Sequence, residues 1–306
     1  MEMKKMKRKI IGGLIAIVVV ALVVAFSGCI EKTPEPVLPE TPSEIPTKSG
    51  GTAIDVMKQV PKGGSLLYVD CKKLREDPDL APIWNQWKSN SFMTESLKDL
   101  PIPESDVPLN RLNYWALNKY RAFTYVIGGD FDLEKIRDDL QHRGWEKGTY
   151  RKVEVWHGEN GDINEIALFE DKITAGGVEA VETAIRVMKG EEESLHDEDD
   201  IIDIANKLSD GFIVTIRLRD ELSLATLMLY EVDWPQGDVK GWGSSFEKIS
   251  KEDMKQQGII KLTDESKAKD FVSSAQQKMK GWTGLEVTIQ EEYVIGTAIY
   301  KIGEWG

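Results

Sequence analysis

The chain has 306 residues, with 52 acidic against 39 basic side chains and a formal net charge of −13. A balance this acidic argues against nucleic acid, whose phosphates need clustered Lys and Arg, and anionic lipid head groups would repel it as well. With Cys29 and Cys71 as its two cysteines, the chain has no disulfide framework, and its core must rest on apolar burial.

The first element is a membrane signal. Lys4, Lys5, Lys7, Arg8 and Lys9 precede an apolar run over residues 10–26, followed by Ser27, Gly28 and Cys29. Positive charge ahead of an apolar segment keeps the N-terminus in the cytoplasm and sends the rest of the chain across the membrane. The expected location is therefore the cell membrane, with the domain on the extracytoplasmic side. Phe26-Ser27-Gly28-Cys29 resembles the lipobox of bacterial and archaeal lipoproteins. The resemblance implies that residues 1–28 are a signal peptide and that Cys29 is the lipid-bearing first residue of the mature chain. The alternative is an uncleaved transmembrane anchor, for which residues 10–26 lie at the short limit for crossing ~30 Å of hydrocarbon.

Residues 29–52 form a tether. Pro34, Pro36, Pro39, Pro42 and Pro46 interrupt a run of Glu, Thr and Ser that closes with Gly50-Gly51. Prolines at that spacing deny the backbone both helix and sheet, leaving a polyproline-like spacer of about 3.1 Å per residue. The first 28 residues carry five basic residues against Glu2, so the remaining chain carries −17.

Short strands and amphipathic helices alternate from residue 65 onward. The pattern predicts a strand at 65–69, a short helix at 80–87 with Ile83, Trp84 and Trp87 on one side, and a hairpin from 114–117 and 120–127. Asp132 is a candidate N-cap for a helix bearing Leu133, Ile136 and Leu140 and stopped at Gly144. A strand at 150–156 comes next, then a hairpin from 166–169 and 172–175 across Glu170-Asp171. A helix bearing Val178, Val181, Ile185 and Met188 stops at Gly190, and another carries Ile201, Ile204, Ala205 and Leu208. Residues 212–218 alternate as a strand with one wet face, and 224–232 reads as a second strand. A Gly- and Trp-rich loop at 234–243 leads to a strand at 259–262. A helix after Asp264 then carries Ala268, Phe271, Val272, Ala275 and Met279, and a final hairpin from 285–289 and 294–300 turns at Glu291-Glu292.

The last elements repeat earlier ones in order. An Asp-capped helix, Gly-Trp, and a hairpin with an acidic two-residue turn occur at Asp132, Gly144-Trp145 and Glu170-Asp171, and again at Asp264, Gly281-Trp282 and Glu291-Glu292. The reading is a divergent duplication of a β-α-β-β unit, with a first module at 53–208 and a second at 209–306.

Residue spacings that carry catalytic or cofactor chemistry, such as HExxH, a Walker loop, GxSxG, paired CxxC or GxGxxG, do not occur. His142, His157 and His196 have no His or Cys at ligand spacing. The acidic run at 191–200 lacks the calcium-loop pattern and suits the N-terminal end of the next helix. The pairs Asp130/Asp132 and Asp162/Asn164/Glu165 read as turn chemistry. Cys71 comes after a strand and reads as a buried thiol. Trp84, Trp87, Trp145 and Trp282 read as core, and Trp234 and Trp242 as loop residues free to be exposed.

The layout of residues 1–52 resembles that of archaeal surface lipoproteins of unassigned function. Val60-Pro61, Leu66-Leu67-Tyr68-Val69-Asp70, Asp77-Pro78-Asp79-Leu80 and the stretch 167–176 running into 180–185 resemble extracytoplasmic α+β domains of bacterial and archaeal lipoproteins. That resemblance implies no catalytic residues. The expected architecture is α+β, with antiparallel sheets and helices packed on one face. The expected role is a membrane-anchored, outward-facing binding or structural protein without catalysis, cofactor or metal, whose partner is the membrane. The alternatives are a solute-receptor lipoprotein with two lobes around a cleft and an extracytoplasmic hydrolase assembled from distant Ser, His and Asp.

Overall fold

The computed structural model describes residues 51–90, 100–103, 107, 111–119, 123–218, 238–278 and 285–304. Cys29, the apolar run and most of the tether lie outside these residues, as do the expected strand at 224–232, Trp234, Trp282 and Met279. Among the described residues no helix is long and apolar enough to cross a membrane.

The strands are β1 Ser65–Val69, β2 Leu112–Lys119, β3 Phe123–Gly129, β4 Glu146–Tyr150, β5 Val153–Asn160, β6 Ile163–Leu168, β7 Lys172–Gly176, β8 Ile213–Leu218, β9 Val239–Lys248, β10 Asp253–Leu262, β11 Leu285–Gln290 and β12 Tyr293–Lys301. They form one sheet in the order β11-β12-β10-β9-β8-β1-β2-β3-β7-β6-β5-β4, antiparallel at every pairing. The helices are α1 Ala53–Met57, α2 Cys71–Glu76, α3 Ala81–Asn90, α4 Leu133–His142, α5 Val178–Met188, α6 Asp199–Lys207 and α7 Glu265–Lys278.

Both faces of the sheet are covered, because successive residues of a strand point to opposite sides. Leu67 and Val69 of β1 meet Leu74, Ile83, Ile136 and Leu140 from α2, α3 and α4 on the first face. Leu66 and Tyr68 meet Val56 and Met57 of α1 and Ile201 and Ile204 of α6 on the second. Val181 and Ile185 of α5 cover Val153, Val155 and Ala167 on that second face. Helix α7 packs Ala268, Phe271 and Val272 with Val294 on the first. Helices therefore flank both faces, not the single face the sequence suggested; a sheet apolar on both sides must be covered on both.

Local sequence accounts for most boundaries. The Asp132 carboxylate accepts from the Lys135 amide at the start of α4, and Gly144 at φ +80° ends that helix in the left-handed region that glycine tolerates. Thr52 and Asp55 form a capping box at α1, joining the end of the tether to a defined helix start. The Tyr68 hydroxyl donates to the Gly51 carbonyl, which ties the tether's last glycine to β1. Lys248 of β9 lies 2.7 Å from Asp77 and 2.6 Å from Asp79, holding the β9–β10 hairpin against the turn before α3.

Three strand expectations are corrected. Residues 150–156 do not make one strand: Arg151 and Lys152, at φ 49° and 65°, turn the chain between β4 and β5. Two consecutive positive φ values are the geometry of a tight hairpin, yet neither residue is the Gly, Asn or Asp that signals one. Residues 239–243 belong to β9, which forms with β10 a long hairpin that glycines and serines had disguised as loop. Strand β8 has no wet face: Thr215 and Arg217 are buried along with Val214 and Ile216. Leu208 caps α6, and Gly211 is required by the neighbouring strand, since a Cβ there would stand 2.5 Å from the Phe246 carbonyl oxygen.

Candidate functional site: a buried polar row under helix α5

The register aligns one residue from every strand into a single row across the second face. From the β11 edge it runs Thr288, Ile295, Ile259, Gly243, Ile216 and Leu66, then Asn118, Thr124, Gly176, Glu165, His157 and Glu146 at the β4 edge. The first half is mostly aliphatic. The second half is polar and yet largely removed from solvent, with Asn118 and Glu165 at 0% and Thr124 at 1% exposure.

Helix α5 encloses this half. The chain leaves β7 at Gly176, turns at Gly177 and folds back across β6, β7 and β3. A short apolar layer lies beneath it, and Glu165 sits beside that layer where the helix begins. Gly176 is required by its neighbour, since a Cβ there would lie 2.3 Å from the Phe123 carbonyl oxygen.

The row carries polar atoms without hydrogen bonds. The Asn118 amide donates to the Ser65 carbonyl at 2.9 Å, but its Oδ1 has no partner. Neither oxygen of Glu165 accepts or donates a hydrogen bond. His157 Nδ1 stands 3.3 Å from Glu165 Oε2 without the alignment of a bond, and its ring leans over Gly148, where a Cβ would meet Nε2 at 2.9 Å. Burial pushes the Glu165 carboxyl up to about 8, and the charge of Glu182 on α5 adds to the effect. Below that pH the carboxyl is neutral, and through His157, whose side chain is 45% exposed, it has a route to solvent. Such a group can take up and release one proton.

A second buried titratable group lies on the same face. Lys172, 2% exposed, donates to Gln59 Oε1 at 3.2 Å and approaches Asp171 at 3.8 Å. Burial lowers its pKa, with Asp171 opposing. A third polar cluster joins α6 to the sheet: Lys261 contacts Asp200 at 2.8 Å and Asp203 at 2.5 Å, and Tyr293 donates to Asp203 at 3.3 Å. The open cleft of about 390 Å³ beside Pro78, Pro82 and Lys251 includes none of these groups, and of its charged lining residues Asp79 pairs with Lys248 and Lys301 with Asp253 at 2.7 Å.

The residues singled out in the sequence are dispersed. His142 ends α4, its Nδ1 2.6 Å from the Asp138 carbonyl, and His196 lies in a short turn at Leu195–Asp197. The acidic run does not converge: Glu191 faces Arg151, Glu192 faces Arg186, Glu193 faces Lys62 and Asp200 faces Lys261. No group of three His, Cys, Asp or Glu side chains able to hold a metal occurs among the described residues. Cys71 is fully buried, and burial raises its pKa. Trp84, Trp87 and Trp145 are in the core. Trp242 is not in a loop: it lies in β9, its ring 5.8 Å from the Arg217 guanidinium.

Glu165 corrects the turn reading of Asp162/Asn164/Glu165, because Ile163 already starts β6 and places the carboxyl inward. The signal was present in the alternation. With Ile163 as strand start, Glu165 shares a face with Ala167, which lies in the apolar layer under α5, and a charged residue occupies an inward position.

No family model and no curated protein matches the chain. Solved structures similar to it include two crystal forms of TP0453. Crystal form I of TP0453 has a TM-score of 0.51 at 6% sequence identity, covering 81% of this chain and 93% of that one. Crystal form IV of TP0453 gives 0.48 at 8% identity, covering 82% and 96%. The first likeness identifies the fold as one already seen, a mixed helix and strand protein with a large antiparallel sheet.

Proposed function

We propose that the chain is a membrane-anchored, outward-facing binding or structural protein that works without catalysis, attached through a lipid on Cys29. The observation that carries this reading is the continuity from anchor to fold. A basic cluster, an apolar run and Ser27-Gly28-Cys29 lead into a proline-rich spacer, and the spacer's last glycine is hydrogen-bonded to the central strand β1 through Tyr68. A proline-rich spacer fastened to the middle of a sheet holds a whole domain at a distance from lipid.

Membrane fractionation with external protease tests this reading. The full chain is expected in the membrane fraction, with its domain cleaved in intact cells. A Cys29→Ser chain is expected to lose lipid labelling. A domain protected in intact cells overturns the reading.

The sheet also supports a duplicated architecture. Strand β1 leads to hairpin β2–β3, helix α4 and a meander whose last strand, β7, returns to β3. Strand β8 leads to hairpin β9–β10, helix α7 and a meander whose last strand, β12, returns to β10. Strands β1 and β8 pair with each other at the centre, and α4 and α7 lie on the same face. We read the two series as related by a two-fold axis normal to the sheet between β1 and β8, the first meander holding two more strands than the second. The acidic turns at Glu170-Asp171 and Glu291-Glu292 fall at equivalent places.

A further inference from the structure

We propose that Glu165, His157 and the first turns of α5 form a proton-operated latch at the β4 edge of the sheet: protonated, the Glu165 carboxyl lets the helix seat over β5 and β6; ionised, it loosens the helix and the β4–β5 hairpin. The argument begins with what the carboxyl lacks. It is fully removed from solvent, and neither oxygen has a hydrogen bond. A neutral carboxyl tolerates such a place at modest cost, whereas a charged one does not.

The charged groups facing it offer little relief. Glu182 from α5 repels the ionised form. His157 from β5, 3.3 Å away, compensates only while it carries a proton. Glu146 of β4 stands next to His157 in the cross-strand row and adds negative charge, while β7 and β3 contribute Gly176 and Thr124, which carry none. With His157 uncharged, the anion can therefore be stabilised only by water.

Water has a short path. His157 is 45% exposed on one side, and Val178, at the start of α5, is 41% exposed on the other. The hairpin lies at the sheet's edge: among the described residues β4 pairs only with β5, and the side-chain ties of its turn run to α5 and the turn after it, Arg186 donating to the Tyr150 hydroxyl at 2.8 Å and Arg151 standing 3.4 Å from Glu191. Elements of that kind open at low free energy. Opening here uncovers Val153, Val155, Ala167, Val181 and Ile185, so that the tethered protein presents an apolar layer when the proton leaves.

Hydrogen exchange on the full-length protein in detergent, corrected for the intrinsic pH dependence of exchange, tests the latch. Between pH 6 and pH 9, protection of the amides at 146–157, 165–167 and 178–182 is expected to fall at least tenfold. Glu165→Gln is expected to abolish the fall, and Glu182→Gln to move its midpoint to lower pH. Equal protection at both pH values in the unmodified protein, or an undiminished fall in Glu165→Gln, overturns the proposal. A carbon-13 titration of Glu165 in the unmodified chain provides the check that needs no variant: a midpoint between pH 7 and 9 supports the latch, and one below pH 6 contradicts it.

Discussion

Tyr68 donates its hydroxyl to the carbonyl of Gly51, the residue at which the tether becomes a domain. Tyr68 is 1% exposed and burial holds its phenol un-ionised well beyond the usual range, so the bond persists across physiological pH. Gly51 is exposed and can be hydrated instead. Tyr68→Phe is therefore expected to cost only about 1 kcal/mol of global stability while freeing the root of the tether. Urea denaturation measures the first effect, and proteolysis at residues 51–57 the second.

The β4–β5 turn predicts a stabilising substitution. Lys152 holds φ 65° without the freedom of glycine. Lys152→Gly is expected to relieve about 1 kcal/mol of backbone strain, partly offset by the greater entropy of glycine in the unfolded chain. Thermal unfolding should show a melting temperature unchanged or a few degrees higher. A marked fall would mean that the lysine side chain contributes more than its backbone costs.

Gly176→Ala predicts the opposite. The added methyl meets a backbone carbonyl, which cannot rotate away as a side chain could. A loss of roughly 2–3 kcal/mol is expected, with increased exchange in β3 and β7 as the local signature.

Asp77, Glu154, Asp203 and Glu165 together should give stability a maximum at about pH 4–5, with a fall on either side. Lys261 holds Asp203 below the usual carboxylate range by a hydrogen bond, and the Lys248 and Arg137 partners do the same for Asp77 and Glu154 against their burial. Carboxyls with depressed pKa contribute stability above about pH 4 that is lost on acidification. Glu165 acts in reverse: its folded pKa lies above its unfolded one, so its contribution is complete below about pH 4.5 and declines as pH rises toward 8. Lys261→Met is expected to cost about 1–2 kcal/mol at pH 7, modest because Asp203 is half-exposed, and much less at pH 3. Urea titrations at the two pH values measure the difference.

Much of this architecture was legible in the sequence where a local rule decides it. Asp132 and Gly144 bracket α4 because a cap and a left-handed glycine have chemical signatures. The hairpins at Glu170-Asp171 and Glu291-Glu292 stand out between alternating runs. What was not legible depends on long-range pairing. Gly241 and Gly243 read as loop, yet they lie in β9 and sit close beneath Ile204 of α6. The wet face expected for β8 assumed an uncovered sheet, whereas Thr215 and Arg217 are buried on the first face, Thr215 opposite Leu67 and the Arg217 guanidinium 5.8 Å from the Trp242 ring. The candidate site was hidden for the same reason. Glu146, His157 and Glu165 lie on consecutive strands, but their row reaches Asn118 only through the pairing of β6 with β7, β7 with β3 and β3 with β2.

The anchor remains the point on which the functional account turns, and mass spectrometry of the full-length protein extracted in mild detergent from its own membranes measures it directly. The account predicts a chain that begins at Cys29 and carries the added mass of lipid. A chain in which residues 10–26 are still joined to an unmodified Cys29 would contradict lipid anchoring, and the same chain recovered from the soluble fraction would contradict membrane attachment altogether.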